Sequence, residues 1–530
     1  MPRTATTLRA LAGTLGVLGV WETVSRSGWV SVTYLPPPTQ VLPALAGLSD
    51  DGRFRVALGS TGLSWLIALS AATGIGIVLG LVLSAAPRID RCLRPLLEVL
   101  RPLPSVALIP LVVVVFGVGA QTKIILAVFA GTWPVLLATT HALHHIDRVL
   151  HDTARVLGVP SGQRLLRLTL PSLVPAVLTG MRLSGAIVAI VLVGVEFLSG
   201  GSPGIGQYAY LTGSGAGRMD LVLAAVLAAA LLSAAADLGL AQAHQRLLPW
   251  TAHARPSHAG EFGTPRHPST RPRNRRTHHR ALRIAVVIAA WLVSWQALTM
   301  IVAHTYFPTP LRIGTAAGDL WLSGPQAWIR DIGPSLARLA CGWTAAAVLG
   351  VLLGVGLGRN RHARDLLSFP LAMARAVPYP LIVPVLVVVL GLGPAMEIVS
   401  IALAVLWPVL LHTADGARTI TPELTAVLRA AELPRTAWLT RVVLPAAAPA
   451  ILTGLRTGAS IGLILMVVAE LAGGINGIGV RLGAAGATFD LPALWAWICL
   501  LGALGYGINR VLLAAQRHLL PWQPITGIPS

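Results

Sequence analysis

Charged residues are scarce in this sequence, because only 11% of its 530 residues are Asp, Glu, Lys or Arg while 55% are hydrophobic. A soluble domain carries about 25% charged residues, so the composition excludes an ordinary soluble protein. The mean hydropathy of +0.73, reached through long apolar runs, predicts a polytopic membrane protein instead.

Motifs for metal binding and catalysis are also missing. The three cysteines, Cys92, Cys341 and Cys499, have no metal or redox spacing, and no group of His and Glu has the spacing of a zinc site. There is no G-x-x-x-x-G-K-[ST] loop to hold nucleotide phosphates. We therefore expect no catalytic residue, no metal, no bound cofactor and no ATP hydrolysis on this chain.

The sequence contains an internal duplication with an offset of 274 residues. Trp133-Pro134 recurs as Trp407-Pro408, and Leu170-Pro171 recurs as Leu444-Pro445; near the chain ends the offset slips to 272. A repeat of this length is a duplicated domain rather than a solenoid unit. The predicted organisation is a first domain at 1–250, a basic linker at 251–281, a second domain at 282–522 and a tail at 523–530.

Apolar runs predict an all-α tandem repeat of two six-helix domains, about twelve spans in total. The predicted spans lie near 1–21, 56–85, 104–119, 122–143, 174–195 and 221–244, and near 282–302, 335–358, 378–392, 395–412, 447–470 and 491–515.

Arginine is distributed unevenly between the connecting segments. With the amino terminus inside, the Arg-rich loops 86–102 and 145–172 are both inside, as the positive-inside rule requires. The linker carries seven arginines among polar residues and is expected to be a disordered cytoplasmic tether near anionic lipid. It lacks interleaved aromatic residues, so no nucleic-acid partner is expected.

One of the inside loops, residues 147–171, has a distinctive spacing. Its marked positions are Asp152, Thr153, Ala154, Gly158, Leu168, Leu170 and Pro171. Glycine at 158 favours a helix that ends on a left-handed residue, and a second short helix is expected to run to Leu170. From these residues alone, a helical hairpin lying on the bilayer surface is the plain interpretation.

The spacing resembles the cytoplasmic signature loop of permease subunits of binding-protein-dependent ATP-binding-cassette importers, which is Glu-Ala-Ala, x3, Gly, x9, Ile-x-Leu-Pro. Asp replaces Glu, Thr replaces the first Ala and Leu replaces Ile, with every spacing kept. The resemblance implies that loop 147–171 is a coupling helix that docks into a separate ATPase subunit.

The second copy of this loop, residues 421–445, departs from the pattern. Val442, Leu444 and Pro445 keep its end, but Ala426 stands at the Asp152 position and Glu432 at the Gly158 position. The resemblance implies that this loop also couples to an ATPase. Whether the two loops are equivalent is left open by the sequence.

Glu196 and Glu470 occupy equivalent positions at the outer end of the fifth span of each half. An unpaired carboxylate at mid-bilayer costs about 2.5–3.5 kcal/mol. Snorkelling, an external gate and a substrate contact on the translocation path all remain open, and a gating or structural role is favoured because carboxylates repel anions. Arg182 and Arg456, early in the same spans, are expected to anchor them at the cytoplasmic interface.

Motifs around these residues resemble the nitrate, sulfonate and taurine type of importer permease. They are Leu178-Thr-Gly-Met-Arg182 and Gly204-Ile-Gly206 in the first half, and Leu452-Thr-Gly-Leu-Arg456 and Gly477-Ile-Gly479 in the second.

This resemblance implies a multi-pass permease of the bacterial cytoplasmic membrane, with both termini and the linker cytoplasmic. Its partners would be two ATPase subunits that bind ATP and an extracytoplasmic solute-binding protein, and its solute would be a sulfonate-, nitrate- or taurine-like anion.

A repeat-built secondary transporter without an ATPase partner is the main alternative. It would place ionisable residues inside its spans, where this sequence has few. A membrane-embedded enzyme ranks third, because the only histidine cluster, His141, His144, His145 and His151, is expected to be a solvated loop.

Overall fold

A computed structural model describes residues 2–146, 148–215, 217–247, 276–302, 306–420 and 434–521. Within these ranges the secondary structure is helical and contains no β-strand. The all-α prediction is therefore confirmed for the described part of the chain.

Eleven α-helices form the described part of the first half. They are α1 (Pro2–Arg26), α2 (Pro38–Gly47), α3 (Gly52–Ala85), α4 (Pro87–Leu100), α5 (Ile109–Phe116), α6 (Ala120–His145), α7 (Arg148–Val156), α8 (Ser161–Arg164), α9 (Leu170–Ser199), α10 (Ile205–Tyr210) and α11 (Met219–Leu247).

Ten α-helices form the described part of the second half, in the same order. They are α12 (Arg276–Val302), α13 (Pro310–Trp321), α14 (Gly333–Arg359), α15 (Arg361–Ala376), α16 (Ile382–Leu390), α17 (Pro394–Arg418), α18 (Arg435–Trp438), α19 (Leu444–Gly473), α20 (Ile478–Ala487) and α21 (Leu491–Leu519).

Nine helices of the described ranges are long and apolar enough to cross a membrane, or up to eleven if each of two bent helix pairs counts as one span. The polytopic all-α prediction is confirmed, with nine to eleven candidate spans in the described ranges where about twelve were expected for the whole chain. The amino-terminal helix α1 is not among the nine. The segments predicted as spans at 104–119 and 378–392 are also not long single helices.

These two segments are the second arms of the bent pairs. Pro87–Leu100 meets Ser105–Phe116 at 90°, and Arg361–Ala376 meets Tyr379–Leu390 at 83°. Twelve helical residues extend only about 18 Å, less than the hydrocarbon thickness of about 30 Å, so neither second arm spans alone. The Arg-rich segment 86–102, predicted as a loop, is largely the helix α4.

Close glycine contacts hold three long helices together in each half. A Cβ on Gly76 of α3 would lie 2.8 Å from Val135 of α6, and one on Gly180 of α9 would lie 2.8 Å from Ala138 of α6. The second half repeats the first contact, because a Cβ on Gly350 would lie 2.9 Å from a Val409 methyl carbon. Small residues let helices approach closely where lipid gives no hydrophobic drive.

The two halves interlock through their first helices. α1 packs along α15 of the second half, where a Cβ on Gly13 would overlap the Leu366 carbonyl, and Arg9 pairs with Asp365 at 3.0 Å. α12 reciprocally packs on α4 of the first half, and the Trp291 indole donates to the Cys92 carbonyl at 3.1 Å. The duplication therefore produces a pseudo-symmetric pair in one chain.

Candidate functional site: coupling segments and buried charge clusters

The first coupling segment, residues 147–171, is a short helix followed by a left-handed glycine. α7 ends in a Schellman pattern: the Val159 N–H donates to the Ala154 carbonyl at 3.0 Å, and the Gly158 N–H donates to the Arg155 carbonyl at 3.1 Å. Gly158 has φ +71°, the conformation that glycine adopts at least cost. The predicted left-handed exit is therefore confirmed.

Three apolar side chains of this segment, which we call the apolar ridge, are exposed. Val156 is 87% exposed, Leu157 74% and Leu166 65%. Asp152 is exposed as well, and one of its carboxylate oxygens lies 3.7 Å from the Arg155 guanidinium. Apolar residues displayed together on a polar segment are typical of a surface that another protein covers.

The end of the segment differs from the prediction of a separate helix closed by Pro171. Residues Ser161–Ser199 form one continuous apolar helix, with a π-helical turn at Leu165–Thr169 that leads directly into α9. Pro171 follows this π-helical turn and lies inside the continuous helix, where it cannot donate a backbone hydrogen bond. Leu168, Leu170 and Pro171 therefore join the surface segment rigidly to the fifth span.

The second coupling segment is described only in part. Ala426 and Glu432 lie outside the described residues. Its end repeats the first segment, since a π-helical turn at Leu439–Val443 leads into α19 at Leu444-Pro445. Val442 belongs to this turn. Thr153 and Ala154 have no described counterparts in the second half, so the comparison of the two segments stops at the shared π-turn.

Glu196, at the far end of α9, is fully buried in a network that the sequence did not reveal. Its carboxylate accepts hydrogen bonds from the Lys123 ammonium at 2.8 Å, from the Thr61 hydroxyl at 2.9 Å and from the Gly206 N–H at 3.2 Å. The Thr61 hydroxyl in turn accepts from the Ile205 N–H at 3.0 Å. The carboxylate therefore ties the Gly204-Ile-Gly206 motif to α3 and α6.

Glu470 does the same at the far end of α19. It accepts from the Ser335 hydroxyl at 2.5 Å and from the Gly479 N–H at 2.6 Å, while the Ser335 hydroxyl accepts from the Ile478 N–H at 2.9 Å. The cation here is Arg338 of α14, whose guanidinium lies 3.6 Å from Glu470.

Arg338 has further partners in this second network. Its Nη1 atom lies 2.8 Å from a carboxylate oxygen of Glu397 and donates to the Asn476 carbonyl, also at 2.8 Å. Its other terminal nitrogen bonds the Asn476 side chain. A guanidinium suits this arrangement because its several donors have a fixed planar geometry.

The burial of these side chains decides one alternative that the sequence left open and corrects one expectation. Glu196 and Glu470 do not snorkel, since they are 0% and 1% exposed and each has a cation and a hydroxyl partner. The spans are also not free of paired charges, because Lys123, Arg338 and Glu397 are buried with them. Lys123 was a missed signal: it is the only lysine in the sequence, placed within an apolar run.

Arg182 and Arg456 occupy equivalent helix positions but have different surroundings. Arg182 forms an ion pair with Asp237 of α11, Nη2 to Oδ1 3.0 Å. Arg456 has no hydrogen-bond or ion-pair partner among the described residues, and it lines a cleft with Ser460, Asn509 and Pro102 of the first half. Arg456 therefore has no paired carboxylate among the described residues.

Within the described ranges no group of three or more His, Cys, Asp or Glu could hold a metal ion. The arrangement of the described residues consists of helical surface segments, long spans that start at these segments, and charge networks at the opposite ends of those spans. Together these features define a tandem-repeat, all-α integral membrane protein.

Two stretches of the chain, residues 72–249 and 346–522, each match the family of binding-protein-dependent transport system inner membrane components. The chain belongs to this family, the permeases of ATP-binding-cassette importers. Two matches in one chain confirm the fused tandem repeat.

The relatives are single permeases that align to about half of this chain. The taurine transport system permease protein of Escherichia coli (strain K12) is 32% identical over 244 residues, 45% of this chain and 88% of the relative. A putative aliphatic sulfonates transport permease protein of Bacillus subtilis (strain 168) is 31% identical over 239 residues, 45% and 85%. The nitrate import permease protein of Synechocystis is 27% identical over 249 residues, 46% and 90%.

Proposed function

We propose that this permease forms the complete translocation core of its importer, with one ATPase subunit docked on each coupling segment. The observation that carries the proposal is the geometry of residues 147–171. Exposed apolar side chains lie at the capped end of α7, and after the Gly158 turn the helix that starts at Ser161 runs without a break into the fifth span. ATP is bound and hydrolysed on the partner subunits, and a solute-binding protein delivers the solute from outside.

The solute is proposed to be a small oxyanion of the sulfonate, nitrate or taurine type. The printed names of the relatives supply this class. Arg456, without an acidic partner in a cleft between the halves, supports it because a cation there would attract an anion. The importer would thus use one of the two fifth spans for charge selection.

The proposed orientation places the termini, the linker 251–281 and both coupling segments in the cytoplasm. Within this scheme the domains run over 1–250 and 282–522. A reporter fused after Arg276 should be accessible only from the cytoplasmic side. Accessibility from outside would contradict this orientation.

A secondary transporter gains little support from the buried charges. Every ionisable side chain in the two networks lies near a loop and bonds to its backbone or to a partner that does so. Charges held this way stabilise the structure at the end of a span, whereas ion coupling needs charges that are accessible from both sides in turn.

Affinity purification tests the partnership. The full chain should co-purify with an ATPase and, in proteoliposomes, should take up taurine, an alkanesulfonate or nitrate only with ATP inside. Uptake driven by an ion gradient without ATP would overturn the proposal. The double variant with Val156 and Leu157 both replaced by Ser should lose ATPase binding and keep normal membrane insertion.

A further inference from the structure

Each half places a buried cation beside the same carboxylate, but the cation comes from a different helix. With the offset of 274 residues, Lys123 of α6 is equivalent to Glu397 of α17, and Arg338 of α14 is equivalent to Ser64 of α3. The packing of α3 on α6 and of α14 on α17 keeps this offset, so the equivalence is structural. The buried cation therefore occupies the α6 position in the first half and the α14 position in the second half.

The two cations nevertheless contact equivalent atoms. Lys123 Nζ lies 2.8 Å from Glu196 and donates to the Pro203 carbonyl at 2.9 Å. Arg338 Nη1 lies 3.6 Å from Glu470 and donates to the Asn476 carbonyl at 2.8 Å. Pro203 and Asn476 are themselves equivalent, since each directly precedes a Gly-Ile-Gly motif.

The carbonyls belong to two short connections, residues 200–204 and 474–477, which we call the far loops. Each far loop follows the end of the fifth span opposite its coupling segment. The space for a side chain is small here: a Cβ on Gly204 would lie 2.0 Å from the Glu196 carboxyl carbon, and one on Gly477 would lie 2.5 Å from that of Glu470. The carboxylate, the cation and the glycine are therefore tightly packed together in each half.

We propose that Lys123 and Arg338 are positioning residues with the same role, each fastening a far loop to the fifth span of its half. The role depends on the position of the positive charge, next to the buried carboxylate and the far-loop carbonyl. Either of the two helices can supply that charge. Because α9 and α19 start at the coupling segments and run for about 45 Å, the fastened far loop fixes the distal end of a helix whose other end is moved. This mechanical consequence rests on the proposed function, whereas the exchange of the cation does not.

Glu397 is the residue that the exchange leaves in surplus. The first network contains one buried carboxylate and one cation, whereas the second contains two carboxylates, Glu397 and Glu470, and the single cation Arg338. One oxygen of Glu397 is buried with no hydrogen-bond partner among the described residues. Its negative charge is therefore not needed to fasten the far loop, and we expect Gln to be tolerated at this position.

Relocating the cation tests the proposal. Arg338→Ser should speed amide exchange of residues 474–479 about tenfold or more in the full chain in nanodiscs, because it removes the only cation from a buried carboxylate. Glu397→Lys in the same chain recreates the first-half arrangement and should return exchange to near the wild-type rate. Exchange in the double variant as fast as in Arg338→Ser would overturn the proposal.

The first half supplies the matched control. Lys123→Met should speed exchange of residues 200–206 alone, and Ser64→Arg with Lys123→Glu should restore it by recreating the second-half arrangement. If Lys123→Met or Arg338→Ser reduces insertion, each double variant is compared with wild type instead, and exchange well above the wild-type rate in an inserted double variant would overturn the proposal. Glu397→Gln should keep wild-type protection.

A different exchange pattern would overturn the proposal. An equal rise in exchange throughout α3, α6, α14 and α17 would assign these cations to general stability and not to positioning of the far loops. The measurement needs neither solute nor ATPase, so a failed uptake assay and a failed exchange assay are distinguishable.

Discussion

Arg182 of α9 is paired with Asp237 of α11 at 3.0 Å, and the equivalent pairing is missing from the second half. The offset of 272 residues that aligns the chain ends places Asn509 at the Asp237 position. Asn509 lines the cleft beside Arg456, so an amide stands where the first half has a carboxylate. One substitution in a duplicated helix pair has therefore left an arginine uncompensated.

Restoring the carboxylate should weaken anion uptake. Asn509→Asp neutralises Arg456 at a partly exposed site, where an ion pair contributes about 1 kcal/mol, and KM for the transported anion should rise roughly fivefold. Asp237→Asn is the matched control and should leave KM nearly unchanged. Initial uptake rates over a range of solute concentrations measure both, and equal effects of the two variants would argue against a role of the Arg456 cleft in anion selection.

Acid should loosen the start of α3 through Asp51. The Tyr208 hydroxyl donates to the Asp51 carboxylate at 2.8 Å and lowers the pKa of Asp51, while burial and Asp51 together raise the pKa of Tyr208 to about 12. Because the folded pKa of Asp51 is lowered, its contribution to stability is present above the unfolded value of about 3.9 and is lost as the pH falls through the folded pKa.

Tyr208→Phe removes this dependence. The variant should have a lower Tm than wild type at pH 6, and the difference should shrink as the pH falls below about 4. Scanning fluorimetry of detergent-solubilised protein between pH 3 and pH 7 measures it, with Asp50→Asn as a neighbouring control. A Tm difference that grows on acidification would show that the Asp51 interaction has the opposite sign.

Helix packing should respond to single methyl groups at glycine contacts. A Cβ on Gly80 of α3 would lie 2.7 Å from a Thr139 methyl carbon of α6, whereas a Cβ on Gly74 of the same helix meets nothing within 4 Å. Gly80→Ala should lower the free energy of unfolding by about 1–3 kcal/mol through overpacking. Gly74→Ala should be neutral or stabilising, because alanine favours the helix by up to about 1 kcal/mol.

The same pair of variants can be made in the second half. Gly354→Ala faces Thr413 at 2.6 Å and should match Gly80→Ala, while Gly356→Ala meets nothing within 4 Å. Retention of native Tm in Gly80→Ala and Gly354→Ala would mean that α3 and α14 move away from their neighbours at no cost.

Most long spans could be predicted from the sequence because apolar length is sufficient to identify them. The segments 104–119 and 378–392 were misjudged for the same reason: a twelve-residue apolar run beside an amphipathic helix has the composition of a span. The 90° and 83° bends separate the two cases, and each second arm begins after a proline in extended conformation, Pro104 or Pro378.

The charge networks escaped prediction for a different reason. Glu196 and Glu470 are visible as isolated carboxylates in apolar sequence, but their partners come from helices that are distant in the chain. The cation is at Lys123 in one half and at Arg338 in the other, so aligning the repeats hides the partnership. Only the shared target, the carbonyl before a Gly-Ile-Gly motif, makes it recognisable.

The left-handed glycine of the first coupling segment provides the last prediction. Gly158→Ala keeps the segment polar and small but places a Cβ at φ +71°, which costs roughly 1–2 kcal/mol. The helix should relieve this strain by giving up its Schellman bonds to Ala154 and Arg155, which would turn the apolar ridge away from a docked ATPase. ATP-dependent uptake should fall about fivefold to tenfold while insertion and Tm of the spans are retained.

Gly162 of α8 is the matched control, four residues further along the same surface. It has ordinary helical geometry and an added Cβ meets nothing within 4 Å, so Gly162→Ala should leave uptake unchanged or slightly improved. Wild-type uptake by Gly158→Ala would show that coupling does not depend on the left-handed geometry of Gly158. The second segment extends the test, because Glu432→Gly places a glycine at the position equivalent to Gly158. If the second segment ends its helix differently, uptake should not rise in this variant. A rise in uptake would mean that both segments share the left-handed end.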